Sequence, residues 1–355
     1  MDLSAGVANL WDKAHGGVAD LRRMPRDRID MGTSGTLYRY RPIQGVAPAD
    51  GPPVLLVPPL GAPDFAYDLR RGCSLIEHLL RTGRTVHLVD HGPISFADRR
   101  LGMEHWVDDV VPWAARAVAE DTGGGGVHLL GWSLAGIFCT LAVAAAVEAG
   151  APLPVQTLTV IGSPVDISAV PLVAPLRPLA TLAGGPLSAV YQAVGSFPPP
   201  VVSAVFHLTA VDRLVTRPLT LLSRFDDRDF LAQVEAVDHL MNNMHGYPGR
   251  VFGQIFHLLL RNNDLADGKL ALGGRSIPLA AVDVRTLVVA GRSDVIAPLR
   301  AVQKLTGLLT GAPEVRFTTA PGGHLGVLTG RDARTTTWQE LDAFLAGHAP
   351  TPTPR

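Results

Sequence analysis

The sequence predicts an α/β fold in which helices cover both faces of a mostly parallel central sheet. Short, continuous apolar runs recur along the chain and alternate with segments of helical character, as expected for strands that are buried on both faces. The runs end in proline, aspartate, glycine or serine, and such sheets carry their functional groups just beyond the strand ends. With 355 residues, 47% of them hydrophobic, the chain can bury this core without disulfides or a structural metal.

The predicted strands follow one another along the chain. Five apolar runs define them, and a sixth, more polar run precedes a glycine-rich loop: residues 54–57, 86–89, 127–130, 157–161, 286–290 and 315–318. Before them, residues 1–30 are expected to form a helical arm. Apolar side chains recur in this arm at helical spacing, at Leu3, Val7, Leu10 and Trp11.

Between about residues 165 and 275 this alternation gives way to an apolar stretch that is punctuated by prolines. So much apolar surface outside the sheet needs something to cover, which predicts a helical cap; ordinary surface helices are the alternative. The predicted core therefore has two parts, residues 31–164 and 276–348, separated by a cap insertion, residues 165–275. The core closes with a helix over residues 335–348, and residues 349–355, with three prolines, form a disordered tail.

Composition and charge exclude several classes of protein. A formal net charge of −1 provides no field for gathering nucleic acid or an anionic membrane. Cys73 and Cys139 lack metal-ligand spacing, and they favour two free thiols in a reducing compartment over a disulfide framework. No basic segment followed by an apolar core opens the chain, and the longest apolar span, residues 137–147, is too short to cross a bilayer. We therefore expect a soluble, cytoplasmic protein.

The most informative segment is Gly-Trp-Ser-Leu-Ala-Gly, residues 131–136, which follows a predicted strand and precedes a long segment of small residues. A strand, a tight turn carrying a serine and then a helix form the context of a nucleophile elbow. The strained turn requires small residues two before and two after the serine, and Gly131 and Ala135 meet that need. Ser133 is therefore the candidate nucleophile, and its alternative role is an ordinary N-cap of the helix.

A serine hydroxyl is a weak nucleophile that needs a general base, and the base needs an orienting group. Asp294 follows the run at residues 286–290, and His324 lies in a glycine-rich loop after the run at residues 315–318. The order Ser, Asp, His is that of α/β-hydrolases, so Asp294 and His324 are predicted to complete a catalytic triad. Taken singly, Asp294 could cap the next helix and His324 could be a surface turn residue, while Asp166 is a weaker candidate for the acid.

Two backbone donors are needed to stabilise the oxyanion of the reaction. Leu134 supplies one by its position directly after the nucleophile. The second is expected in the loop after residues 54–57, where two prolines come first and have no N–H. Leu60 is therefore the candidate and Gly61 the alternative. Because the residues themselves supply nucleophile, base and electrophile, neither a metal nor an organic cofactor is implied.

Several segments carry a family resemblance: residues 55–59, 67–70, 74–75, 163–166, 291–298 and 323–324. Together they resemble the polyhydroxyalkanoate synthase-like branch of the α/β-hydrolases, over residues 50 to 330 approximately. This resemblance implies the α/β-hydrolase fold and the triad. Polyester synthases of this family carry cysteine at the elbow, where this chain has Ser133. A thiolate suits the passing of a growing chain between thioesters, whereas a serine ester suits attack by water.

Three functions are compatible with the sequence. The leading hypothesis is a serine hydrolase that cleaves an ester or thioester with an apolar acyl chain, as a polyhydroxyalkanoate depolymerase or a lipid esterase does. The second is an acyltransferase of the synthase type, in which coenzyme A or a hydroxyl acceptor replaces water. The third is a non-catalytic protein that binds storage granules through its cap. An oligomer is compatible with each of them.

Overall fold

The computed structural model describes residues 3–15, 17–32, 35–171, 196–197 and 223–347. Most of the proline-punctuated part of the predicted cap, residues 172–195 and 198–222, lies outside the described residues, and so does the predicted tail, residues 349–355.

The described strands are short and follow the predicted order. They are β1 Arg26–Gly32, β2 Gly35–Tyr40, β3 Val54–Val57, β4 Val86–Asp90, β5 Val127–Trp132, β6 Val155–Ile161, β7 Ser196–Phe197, β8 Tyr247–Pro248, β9 Lys269–Leu272, β10 Arg275–Pro278, β11 Arg285–Gly291 and β12 Val315–Ala320. Each of the six runs predicted as a strand lies in one of these, namely β3, β4, β5, β6, β11 and β12.

Within the described ranges, eight strands form one sheet in the order β1-β2-β4-β3-β5-β6-β11-β12. Neighbours from β4 to β12 run parallel, whereas β1 and β2 extend one side of the sheet in antiparallel pairing. The register sets Val57 opposite Gly131, and Trp132 opposite Ile161. The loops that follow β3, β5, β6 and β11 therefore meet at one edge of the sheet, where ligands bind in open α/β folds.

Helices cover both faces of this sheet. The described helices are α1 Leu3–His15, α2 Leu75–Arg81, α3 Val111–Asp121, α4 Leu134–Glu148, α5 Arg228–Asn242, α6 Gly249–Gln254, α7 Leu299–Gln303, α8 Gly326–Thr329 and α9 Thr337–Leu345. Alternate residues of β3 enter separate clusters, with Leu55 beside α3 and α4, and Leu56 beside α2 and α9. Both faces of each central strand are thus buried, which is why these strands have continuous apolar sequences. In the part of the chain that the structure describes, no helix combines the length and the apolar character needed to cross a membrane.

The N-terminal arm differs from the helix expected over residues 1–30. Helix α1 ends at His15, and β1 follows, paired antiparallel with β2. Gly17, at φ 89°, leaves the helical conformation, and Pro25 has no N–H for a continuing helix. Strand β1 could not be predicted from an apolar run, because it is rich in charged residues. The core therefore begins at Arg26 rather than at residue 31.

The described part of the predicted cap region contains helices α5 and α6 and, in addition to the expected helices, the strands β7 to β9. Helix α1 lies against the start of α5, because Asn9 Nδ2 donates to Phe225 O at 3.0 Å and Arg228 pairs with Asp12 at 2.5 Å. Further along, the His245 N–H donates to Gly61 O at 2.7 Å. This region thus contacts the loop after β3, at the edge of the sheet where the strand ends meet.

Candidate active site

Ser133 lies in the turn between β5 and α4, with backbone angles of φ 57° and ψ −127°. A positive φ is uncommon for a residue with a Cβ, and such strain costs about 1–3 kcal/mol. The chain passes so close to itself that a Cβ on Gly131 would lie 2.7 Å from the backbone of Ala135. The turn therefore has the geometry of a nucleophile elbow, with glycine required two residues before the serine.

The three candidate catalytic side chains are joined in one line of contacts. His324 Nε2 lies 2.8 Å from Ser133 Oγ, and His324 Nδ1 lies 2.8 Å from Asp294 Oδ2. The imidazole can accept the serine proton at Nε2 while its Nδ1–H donates to the carboxylate. The side chains of His324 and Asp294 are 8% and 0% exposed, so little water weakens the interaction between them.

Backbone amides hold the carboxylate of Asp294 in place. Its Oδ1 accepts the N–H groups of Ile296 and Ala297, at 2.9 and 2.8 Å, which leaves Oδ2 directed at His324. The residue before α7 is Pro298, so Asp294 is not the cap of that helix. Two amide donors and one imidazole together satisfy a buried carboxylate, whose desolvation would otherwise be costly.

Two residues that the sequence did not single out help to place His324. The indole N–H of Trp132 donates to His324 O at 3.1 Å, and the two rings lie 5.2 Å apart. Gly162, at φ 57°, borders the same side chains, because a Cβ there would be in ordinary van der Waals contact with His324 and Asp294, at 3.6 Å from each. Their sequence positions could have marked them as neighbours of the site, because Trp132 directly precedes the candidate nucleophile and Gly162 directly follows a predicted strand.

The two candidate oxyanion donors follow neighbouring strands, β3 and β5. Leu134 is the first residue of α4, where the first amides of a helix have no acceptor within it. Leu60 lies in a turn in which Ala62 N–H donates to Pro59 O at 3.1 Å and Gly61 has a φ of 82°. Because the Pro59 carbonyl faces into the turn, the Leu60 N–H of the same peptide points away from it.

Other segments hold the carbonyl groups of this loop. Tyr67 Oη donates to Val57 O, and His91 Nε2 contacts Pro58 O, each at 2.8 Å. Burial lowers the pKa of His91 to about 4, so at neutral pH the ring is neutral and its Nε2–H is the donor to the carbonyl. Together with the His245 N–H on Gly61 O, these bonds fix the loop on several sides.

Asp166, the weaker candidate for the acid, has a different environment. Its Oδ1 accepts Ser168 N–H at 3.0 Å and Asn263 Nδ2–H at 2.9 Å. These bonds hold the segment after β6 against the loop that contains Asn263. The carboxylate that contacts His324 is that of Asp294.

Comparisons with known proteins agree with this architecture. The family model for the alpha/beta hydrolase fold matches residues 52–331. The poly(3-hydroxyalkanoate) polymerase subunit of Allochromatium vinosum is 24% identical over 327 residues, which cover 92% of this chain and 88% of that protein. The subunit of the same name from Cupriavidus necator is 26% identical over 306 residues, or 81% of this chain and 48% of that protein.

Solved structures show the same fold at low sequence identity. BpoC from Mycobacterium tuberculosis matches 90% of this chain and 99% of its own, with a TM-score of 0.52 and 14% identity. Alpha/beta hydrolase domain-containing protein 10 from mouse matches 91% of this chain and 99% of its own, with a TM-score of 0.51 and 14% identity.

The parallel sheet, its order and the serine elbow together define an α/β-hydrolase, and the chain belongs to the alpha/beta hydrolase fold family. Within that superfamily the chain is polyhydroxyalkanoate synthase-like. The resemblance found in the sequence motifs is thereby confirmed.

Proposed function

We propose that this protein is a serine hydrolase that cleaves an ester or thioester with an apolar acyl chain. The observation that carries this proposal is the line of contacts from Ser133 Oγ through His324 to Asp294, with both links at 2.8 Å. Ser133 Oγ attacks the acyl carbon while His324 Nε2 takes its proton, and the leaving alcohol or thiol then receives that proton. Water, deprotonated by the same nitrogen, hydrolyses the acyl-enzyme and releases the acid.

The amides of Leu134 and Leu60 are the proposed donors to the oxyanion, with Gly61 as the alternative to Leu60. The proposal is supported by the helix N-terminus at Leu134 and by the fixed turn that directs the Leu60 N–H outwards. Removal of one such donor typically lowers the turnover rate about a hundredfold to a thousandfold. Asp294 would stabilise the imidazolium form of His324 without taking up its proton.

The proposed substrate is an ester of an apolar acyl chain, such as a polyhydroxyalkanoate or a lipid. Its support is the similarity to proteins named as poly(3-hydroxyalkanoate) polymerase subunits and the apolar sequence of the proposed cap, residues 165–275. A polyester would place the enzyme at the surface of a storage granule in the cytoplasm. The two cysteines are buried and unpaired, in keeping with the reducing compartment expected from the sequence.

A second candidate is an acyltransferase of the polyhydroxyalkanoate synthase type, which the names of the two polymerase relatives favour. It would use the same acyl-enzyme and pass the acyl group to a hydroxyl or a coenzyme A thiol. The oxygen nucleophile favours hydrolysis instead. Cys139 in α4 does not offer a substitute thiolate, because it is fully buried and burial raises its pKa far above the ordinary value.

Labelling with a fluorophosphonate probe, which reacts with activated serine hydroxyls, tests the nucleophile. Wild type should be labelled and Ser133→Ala should not. Ser168→Ala is the matched control, since the Ser168 hydroxyl contacts Asp166 at 2.5 Å, and it should be labelled like wild type. Folded wild type that stays unlabelled would contradict the hydrolase and favour a non-catalytic granule-binding protein.

A second assay separates hydrolysis from transfer. The enzyme is supplied with a 3-hydroxyacyl-coenzyme A, and thiol release is compared with the free acid and oligoester that form. Free acid in proportion to released thiol supports the hydrolase. Oligoester as the main product would support the acyltransferase.

A further inference from the structure

A buried hydroxyl beside the elbow contacts the peptide group that carries the Leu134 amide. Ser163 follows β6, is 0% exposed, and donates from its Oγ to Ser133 O at 2.6 Å. The same carbonyl accepts the Gly136 N–H at 3.1 Å. The nucleophile's own carbonyl is therefore held by two donors on the side of the turn that faces α4 and β6.

The carbonyl of Ser133 and the N–H of Leu134 belong to one planar trans peptide, so the two bonds point in opposite directions. Whatever fixes the carbonyl also fixes the direction of the N–H. A hydrogen bond to the carbonyl also polarises the peptide, which makes its N–H a stronger donor. We propose that Ser163 is a positioning residue whose hydroxyl aims and polarises the Leu134 amide toward the oxyanion. This inference rests on the proposed function, in which that amide binds the oxyanion.

The surroundings of Ser163 are built to hold its hydroxyl at this place. A Cβ on Gly136 would lie 2.1 Å from Ser163 Oγ, so glycine at that position makes room for the hydroxyl. The preceding residue, Gly162, donates its N–H to Val289 O at 2.8 Å. The backbone directly before Ser163 is thus held by β11, and the hydroxyl fits closely against α4.

The test uses two substrates that differ in one atom, a p-nitrophenyl ester of an apolar acid and its thionoester, in which sulfur replaces the carbonyl oxygen. Sulfur accepts hydrogen bonds weakly, so the ratio of the two rates reports how much the oxyanion donors contribute. Ser163→Ala should lower kcat for the ester by about tenfold to a hundredfold, somewhat less than full loss of a donor, with little change in KM. The thionoester rate should change much less, so the ratio should fall.

Thr140→Val is the matched control. The Thr140 hydroxyl is also buried and donates to a carbonyl of α4, that of Gly136, at 2.7 Å, but it does not touch the Ser133–Leu134 peptide. This variant should keep the wild-type ratio. Ser163→Cys, with a similar shape and a weaker donor, should fall between wild type and Ser163→Ala, and it serves if the alanine variant does not fold.

The outcomes separate this inference from the proposed function. An active wild type whose ester-to-thionoester ratio is unchanged by Ser163→Ala and Ser163→Cys would overturn the role of Ser163 and leave the hydrolase intact. An equal fall in the ratio for Thr140→Val would also overturn it, because the loss of a buried hydroxyl that does not contact the Ser133–Leu134 peptide would then lower the ratio as well. A wild type with neither turnover nor labelling of Ser133 would remove the proposed function, and this inference with it.

Discussion

At the scale of single residues, Asp294 shows how neighbours assign a role to a side chain. One carboxylate oxygen is occupied by the amides of Ile296 and Ala297, and the other faces His324. The carboxylate thus has one orientation, and His324 has one favoured tautomer, with the proton on Nδ1 and the lone pair of Nε2 toward Ser133. Asp166 carries the same functional group but is committed to Ser168 and Asn263.

Exchange of these two carboxylates for amides should therefore have different results. Asp294→Asn should lower kcat by about a thousandfold to ten-thousandfold, because the amide favours the wrong tautomer of His324. Asp166→Asn, the matched control, should stay within about twofold of wild type. Steady-state kinetics on a p-nitrophenyl ester, with folding checked by circular dichroism, measures both. A larger loss of kcat for Asp166→Asn would reverse the two assignments.

The sequence predicted the candidate nucleophile, acid and base because each lies at a strand end in a recognisable order. It did not reveal Trp132, Ser163 or His91, whose side chains contact backbone carbonyls of His324, Ser133 and Pro58. Such contacts have no sequence signature, since any residue offers a carbonyl. They depend on which segments the fold brings together.

At the scale of elements, the turn between β5 and α4 depends on how closely strand and helix approach. Gly131 and Ala135 are in contact across the turn, and Ser133 is held at a positive φ. Five strands of the core were predictable because both their faces are buried, and β12, at the edge of the sheet, was predicted from a more polar run that is only partly buried. The antiparallel β1 and β2 were not, because charged residues such as Arg26 and Asp27 interrupt their apolar pattern.

Gly131→Ala should destabilise the protein by about 1–3 kcal/mol, because its Cβ would lie 2.7 Å from the backbone of Ala135 and the chain must move. Reactivity of Ser133 with the fluorophosphonate should fall as the turn shifts. Gly125→Ala is the control, since a Cβ there meets nothing within 4 Å. Urea denaturation measures both variants, and equal stability of the two would show that the turn tolerates the added methyl group.

At the scale of the whole molecule, the sheet buries a titratable group that lies outside the candidate active site. His128 in β5 contacts Thr157 Oγ1 at 2.8 Å. Burial lowers the pKa of His128 to about 4, and the positive charges of Arg84 and Arg285 act in the same direction. The folded protein thus keeps this ring neutral at a pH where the unfolded chain protonates it.

Stability should consequently fall as the pH drops from about 6.5 toward about 4. In this window the unfolded state binds more protons than the folded state, and each such histidine contributes up to about 1.4 kcal/mol per pH unit. Urea denaturation at a series of pH values measures the slope. His128→Gln should show a shallower slope than wild type, whereas identical slopes would mean that His128 titrates normally in the fold.

The pairing of β6 with β11 joins two parts of the chain that are far apart in the sequence. Ser133 comes before this junction, and Asp294 and His324 come after it. A chain emerging from the ribosome therefore exposes its serine long before it has made the histidine that is proposed to activate it. In the proposed mechanism the hydroxyl would remain as unreactive as any other alcohol until the last two strands of the sheet join β6, and the onset of reactivity would then mark the completion of the core.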